Sequence, residues 1–167
     1  MHKIVSTVYA LVDTISTYEQ RLANEEDYIE RIDKEIEILC RNDGKLQTTK
    51  LLKIERLKVD REKAKKNVNR LIIKRNDLYS CLDALVPSVI ACDAKEDLLN
   101  VLYAGKAPFE EKVESLSSHS DINKNKELKA SLRSYQTARD TYDVAIGALN
   151  GVPTCLEMTP NNTRDKQ

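Results

Sequence analysis

The chain of 167 residues has no tryptophan, one phenylalanine (Phe109), four glycines, four prolines and two histidines. So few glycines and prolines exclude a sandwich or a barrel, whose many tight turns depend on those residues. The formal net charge is zero, so no overall basic excess draws the chain to nucleic acid or to an anionic membrane. Long apolar runs are absent too. The longest early uncharged stretch, IVSTVYALV at 4–12, is too short to span a bilayer, and no small-residue cleavage site follows it. The expectation is a cytoplasmic chain, neither secreted nor inserted in a membrane.

Motifs that carry chemistry are missing as well. Cys40, Cys81, Cys92 and Cys155 form no C-x-x-C pair, and the histidines lie far apart at positions 2 and 119. Reduced thiols are therefore expected rather than a zinc site, and Cys40, next to a helix break, is read as buried or unreactive. The sequon at Asn161 means little without a leader. There is no phosphate-cradling glycine loop, nucleophile elbow, H-E-x-x-H or EF-hand loop. Glu25 and Glu26 are adjacent carboxylates, but the Glu-x-x-His step of carboxylate metal bundles does not occur. The reading is a non-enzyme with no cofactor and no metal.

Helical periodicity dominates what is present. Ile4, Val8, Leu11, Ile15, Tyr18, Leu22, Glu25, Ile29, Ile32, Ile36 and Leu39 follow at alternating steps of four and three. This is the heptad period that winds helices into a left-handed supercoil. NDG at 42–44 breaks the pattern, and a second seam runs from Ile54 through Leu57, Arg61, Ala64, Val68, Leu71, Arg75, Leu78 and Leu82 to Leu85. Two seams joined by a short break predict an antiparallel hairpin with arms at 1–41 and 47–86, the second ended by Pro87. Farther on, DAKE at 93–96 has the form of a capping box opening a short helix to 104, closed by Gly105. Pro108 opens another over 108–117, and a long packing helix covers 123–150. The fold class is all-α: one domain over 1–150, with a hairpin packed at its open end into a three- to four-helix bundle and a flexible tail over 151–167.

The charges are divided between the two arms. Residues 1–44 carry 5 basic and 10 acidic side chains, whereas residues 45–78 carry 12 basic and 4 acidic. Facing the arms antiparallel sets Asp33 against Lys58, Glu26 against Lys65 and Glu35 against Lys53. The polar seam residues Glu25 and Arg61 then form the register pair, although a slip of one heptad preserves the same classes of pairing. Much of the basic stretch 56–76 is thereby read as counter-charge for the first arm. At the open end Val5, Val12, Ile72, Tyr79 and Val86 widen the apolar face, which calls for further helices to cover it.

Some groups remain outside this scheme. Arg56, Lys63, Lys66, Arg70 and Lys74 face outward, as a solvated helix face or as contacts to phosphate or to an acidic partner, with Lys45 nearby. Leu51, Leu52, Val59 and Ile73 are aliphatics surplus to the seam and form a candidate self-association row. The expected function is a non-catalytic coiled-coil interaction or scaffolding protein that docks a protein partner or self-assembles into a homo-oligomer. One alternative is a nucleic-acid-binding accessory protein using the basic second helix. A further alternative is a stalk or chaperone subunit of an export apparatus.

Overall fold

The computed structural model describes residues 3–41, 48–152 and 154. It contains four helices and, among the described residues, no strand: α1 (Lys3–Arg41), α2 (Thr48–Ala91), α3 (Lys95–Ser117) and α4 (Lys126–Leu149). At 39 and 44 residues, α1 and α2 extend about 58 and 66 Å at the helical rise of 1.5 Å. They pack on each other as the hairpin the two seams predict. The break that joins them, with NDG and Lys45, lies outside the described residues.

The other two helices close the open end. Arg133 of α4 binds Glu26 and Asp27 of α1, Ser134 Oγ donates to Gln20 Oε1 at 3.2 Å, and the Tyr142 ring lies 6.5 Å from that of Tyr9. As α4 residue numbers rise, their α1 partners fall, so the two helices are antiparallel. In turn α3 packs on α4, with Phe109 5.7 Å from the Tyr142 ring and Lys106 Nζ 2.7 Å from Asp143 Oδ1. The principal interfaces give the spatial order α2–α1–α4–α3.

Burial follows from how many helices are present at each level. At the open end Val5, Val8, Val12, Ile15, Leu82, Val89, Leu98, Leu102, Tyr142 and Leu149 form one cluster. Each fully buried side chain of this size contributes roughly 1.5–3 kcal/mol relative to exposure. The widening residues Val5, Val12 and Tyr79 are buried there as expected, while Ile72 and Val86 are half-buried. Toward the tip two helices cover only one stripe, and beyond the level of Leu22, Ala23 and Ala64 the buried apolar residues are Ile32 and Ile54.

Helix boundaries differ from the sequence reading at three breakers, and the last helix, α4, begins at Lys126 rather than at 123. Pro87 does not end α2, which continues to Ala91. Its ring is exposed, so water can satisfy the freed carbonyl, while Leu82 and Val89 on either side are buried. Their packing offsets the cost of about 3 kcal/mol for an interior proline. By the same logic Pro108 sits inside α3, which is one helix over 95–117 rather than two. Gly105 does not close it either. A Cβ there would lie 2.9 Å from both Tyr142 Cε1 and Tyr9 Cε2, so glycine serves the close approach of α3 to the tyrosines.

The capping box at 93–96 is not formed. Asp93 adopts φ 55°, and the N–H groups of Ala94 and Asp93 donate to the carbonyls of Val89 and Ile90, both at 3.1 Å. That 6→1 and 5→2 pair is a Schellman motif closing α2, with buried Ala94 and Val89 as its apolar contact. Gly151 ends α4 the same way, with φ 82° and the Val152 N–H donating to the Gly147 carbonyl at 2.9 Å. At the other end of α4, Asn125 Oδ1 accepts from the Glu127 and Leu128 N–H groups, a side-chain N-cap. The chain beyond Gly151 begins fastened rather than loose: Thr154 is buried, and its Oγ1 donates to Asp83 Oδ2 at 2.6 Å. Residues 153 and 155–167, with Cys155 and Asn161, lie outside the described residues.

Candidate interaction site

The polar groups of the hairpin set its two side faces apart. Glu35 pairs with Lys53 at 2.7 Å, as the heptad register predicts. The register pair Glu25–Arg61 is not formed. Arg61 turns instead to Asp33, its Nε 2.7 Å from Oδ1 but not aimed along the N–H axis, and its Nη2 donating to Oδ2 at 3.4 Å. Asp33 stands at the rim of the seam, so this pair forms without seating two charges in its centre, where desolvation would cost most.

The expected pairs of Asp33 with Lys58 and of Glu26 with Lys65 are replaced as well. Lys58 and Lys65 meet Glu55 and Glu62 of their own helix, at 3.6 and 3.5 Å. Arg133 takes Glu26 and Asp27, which a reading confined to the two arms could not foresee. Deeper on this covered side, Glu19 lies 3.7 Å from Arg75. Burial raises the Glu19 carboxyl above its ordinary value, against the Arg75 charge and a hydrogen bond with Tyr79, which lower it. Burial, followed by the Glu19 charge, likewise pushes the Tyr79 hydroxyl up.

Among the described residues, no helix covers the opposite side of the α1–α2 seam. A groove of about 660 Å³ runs there, lined from α1 by Arg21, Asn24, Glu25, Tyr28 and Arg31, and from α2 by Asp60, Lys63, Ala64, Asn67, Arg70 and Leu71. The spacing explains its position: these residues recur at steps of three and four on the flank of each helix facing away from Gln20, Glu26 and Asp27, which meet α4. Ala64 is small and leaves the floor open. Of the four cations, Lys63 has a loose intrahelical contact with Asp60 at 3.8 Å. Among the described residues Arg21, Arg31 and Arg70 have no carboxylate within ion-pair distance. The Arg21 and Arg31 guanidinium groups lie 6.0 and 5.7 Å from the Tyr18 and Tyr28 ring centroids.

Thus two of the five outward cations singled out in the sequence, Lys63 and Arg70, line the groove. Arg56 prolongs the row of Lys63 and Arg70 by one heptad, and Lys74 follows Asp60 and Asn67 at heptad steps on the neighbouring row. Both are exposed, and Lys66 is exposed on the adjoining outer row. Arg21, Asn24, Tyr28 and Arg31 were not singled out. Their signal was the flank of α1 that carries Glu35, on which Arg21 and Tyr28 precede it at steps of seven.

The candidate self-association residues Leu51, Leu52, Val59 and Ile73 are all exposed, at 48–62%. Leu52, Val59 and Ile73 share the outer row, whereas Leu51 stands about 100° around the helix from Leu52. Cys40 is exposed rather than buried, as are Cys81 and Cys92. Among the described residues no helix is long and apolar enough to cross a membrane, and no cluster of metal-ligating side chains occurs. Comparison with family models, with curated proteins and with solved structures finds no match for this chain.

Proposed function

We propose that the protein is a non-catalytic interaction protein that docks an acidic helix in the groove between α1 and α2. One observation carries this reading: four cations from two helices converge on a groove that, among the described residues, nothing covers, and three of them lack an ion-pair partner there. Two helices packed side by side leave a furrow that accepts a third at the usual interaxial distance of roughly 8–10 Å. Titration of a labelled glutamate-rich helical peptide tests the reading. Saturable binding at low salt, weakened by added salt and lost in Lys63→Glu/Arg70→Glu, is the expected outcome. Absence of binding at about 0.01 M salt, where screening is weakest, removes it.

A second reading rests on the exposed cations Arg56, Lys63, Arg70 and Lys74, which extend past the groove along one flank of α2 and offer contacts to a phosphate backbone. Glu25 and Asp60 weigh against it, because their carboxylates line the same groove and would face a continuous run of phosphates. A helix can place neutral residues opposite them. Binding of a generic oligonucleotide with steep salt dependence, lost on reversing those four charges, would favour nucleic acid.

A further inference from the structure

We infer that the acidic helix seated in the α1–α2 groove is α3 of a second copy of this chain. The inference rests on the acidic-helix reading and adds the identity of the occupant, which charge complementarity supplies. On α3, Glu96, Asp97, Glu111 and Glu114 are exposed, and among the described residues none of them is in an ion pair. Those in the first turn suit the helix dipole. Glu111 and Glu114 lie toward its negative end, where no basic residue stands in the last turn, so the helix itself gains nothing from them.

The two surfaces match in pattern and in length. The outward face of α3 reads acid, neutral, acid: Glu96 and Asp97, then Asn100, Tyr103 and Ala107, then Glu111 and Glu114. On the α1 wall the groove reads cation, acid, cation, with Glu25 between Arg21 and Arg31. The neutral centre of α3 would therefore face Glu25 while its acidic ends meet arginines. On α2 the exposed cations from Arg56 to Lys74 extend over 18 residues, as do the exposed acids of α3 from Glu96 to Glu114. Both measure about 27 Å. Tyr103, 54% exposed on α3, supplies apolar area for the contact, and Ala107 permits close approach.

Each copy carries one groove and one α3 face, so the contact joins unlike surfaces. Such charge-led association is screened by salt, because the Debye length falls from roughly 30 Å at 0.01 M to 3 Å at 1 M. The test is sedimentation of the full chain at these two ionic strengths. At low salt a species heavier than the 19.0 kDa chain is expected, reverting to monomer at high salt. Lys63→Glu/Arg70→Glu and Glu111→Lys/Glu114→Lys should each be monomeric alone. Their equimolar mixture should regain association, because each supplies the surface the other lacks. All four side chains are exposed, so unchanged helix content and melting temperature confirm that each variant is folded.

A wild-type monomer at low salt overturns the inference, as does association that survives both variants or a mixture that stays monomeric. If the chain is monomeric yet the glutamate-rich peptide still binds the groove, self-docking fails and the acidic-helix reading stands. If neither occurs, both fail. Loss of oligonucleotide binding in Lys63→Glu/Arg70→Glu with self-association intact assigns the groove to nucleic acid and overturns the inference as well.

Discussion

The tip half of the hairpin and the open end are built from the same two helices, yet they bury very different amounts of side chain. At the open end α3 and α4 add two further walls, and valines beside the α1 seam, Val5 and Val12, are sealed completely, at 0% exposure. At the tip the seam residues Ile29, Ile36 and Leu57 stay half-exposed, and charge lines the rim. A heptad seam thus states which stripe of a helix wants cover, while the number of partners decides how much is supplied. The two ends also differ in what they leave for others. The open end is consumed by its own packing, and the tip half keeps a groove and an outer row that no other described helix covers.

The comparison breaks most readily by truncating one seam residue in each region. Leu82→Ala, at 1% exposure, should lose about 2–5 kcal/mol, the range for a buried leucine that leaves a cavity. Leu57→Ala, half-exposed at the tip, should lose well under half as much, with urea unfolding as the measurement. Equal losses would mean that the tip is packed as tightly as the bundle.

Next in size is Gly105→Val. The gain in helix propensity is outweighed by the clash with Tyr9 and Tyr142, and a loss of about 1–3 kcal/mol is expected for an overpacked site. A rise in melting temperature would show that the tyrosines yield freely.

A double-mutant cycle sharpens the tip. Asp33→Ala with Arg61→Ala should couple by about 0.2–1 kcal/mol, as partly exposed pairs do, whereas Glu25→Ala with Arg61→Ala should be additive. Coupling to Glu25 instead would restore the register pair read from the heptads.

The smallest effect is a pH slope at the junction of the two regions. The Glu19 carboxyl is raised chiefly by burial, so between its ordinary and its raised value the folded chain holds a proton that the unfolded chain has released. Stability therefore falls as pH rises through that window and remains lower above it. Glu19→Gln should flatten this part of the stability–pH curve measured by thermal melting. An unchanged slope would place its origin elsewhere.

The misread boundaries share one cause. Pro87, Gly105 and Pro108 are local breakers, and a reading made residue by residue gives each its own helix end. The packing around them is nonlocal: Val89 lies beyond one proline, Val113 beyond the other, and two tyrosines stand against the glycine. Asp93 shows the converse. Its place in DAKE resembled a helix start, but the residue closes the preceding helix, because Val89 and Ala94 are buried together at the sharp turn into α3. The groove was partly legible through Lys63 and Arg70. Its other wall was not, since Arg21, Tyr28 and Arg31 become a surface only once α4 has taken the opposite flank of α1.

By itself the sequence determined the helical class, the two seams, the antiparallel hairpin and the separation of charge between its arms, because periodicity and local charge are properties of adjacent turns. Which acid met which base, which prolines were tolerated and which flank of the hairpin stayed open were decided only by the tertiary structure. Those outcomes depend on side chains such as Arg133, more than 100 residues away from the carboxylates it binds, and burial, which sets both the strength of an ion pair and the tolerance of a kink, exists only after the helices have packed.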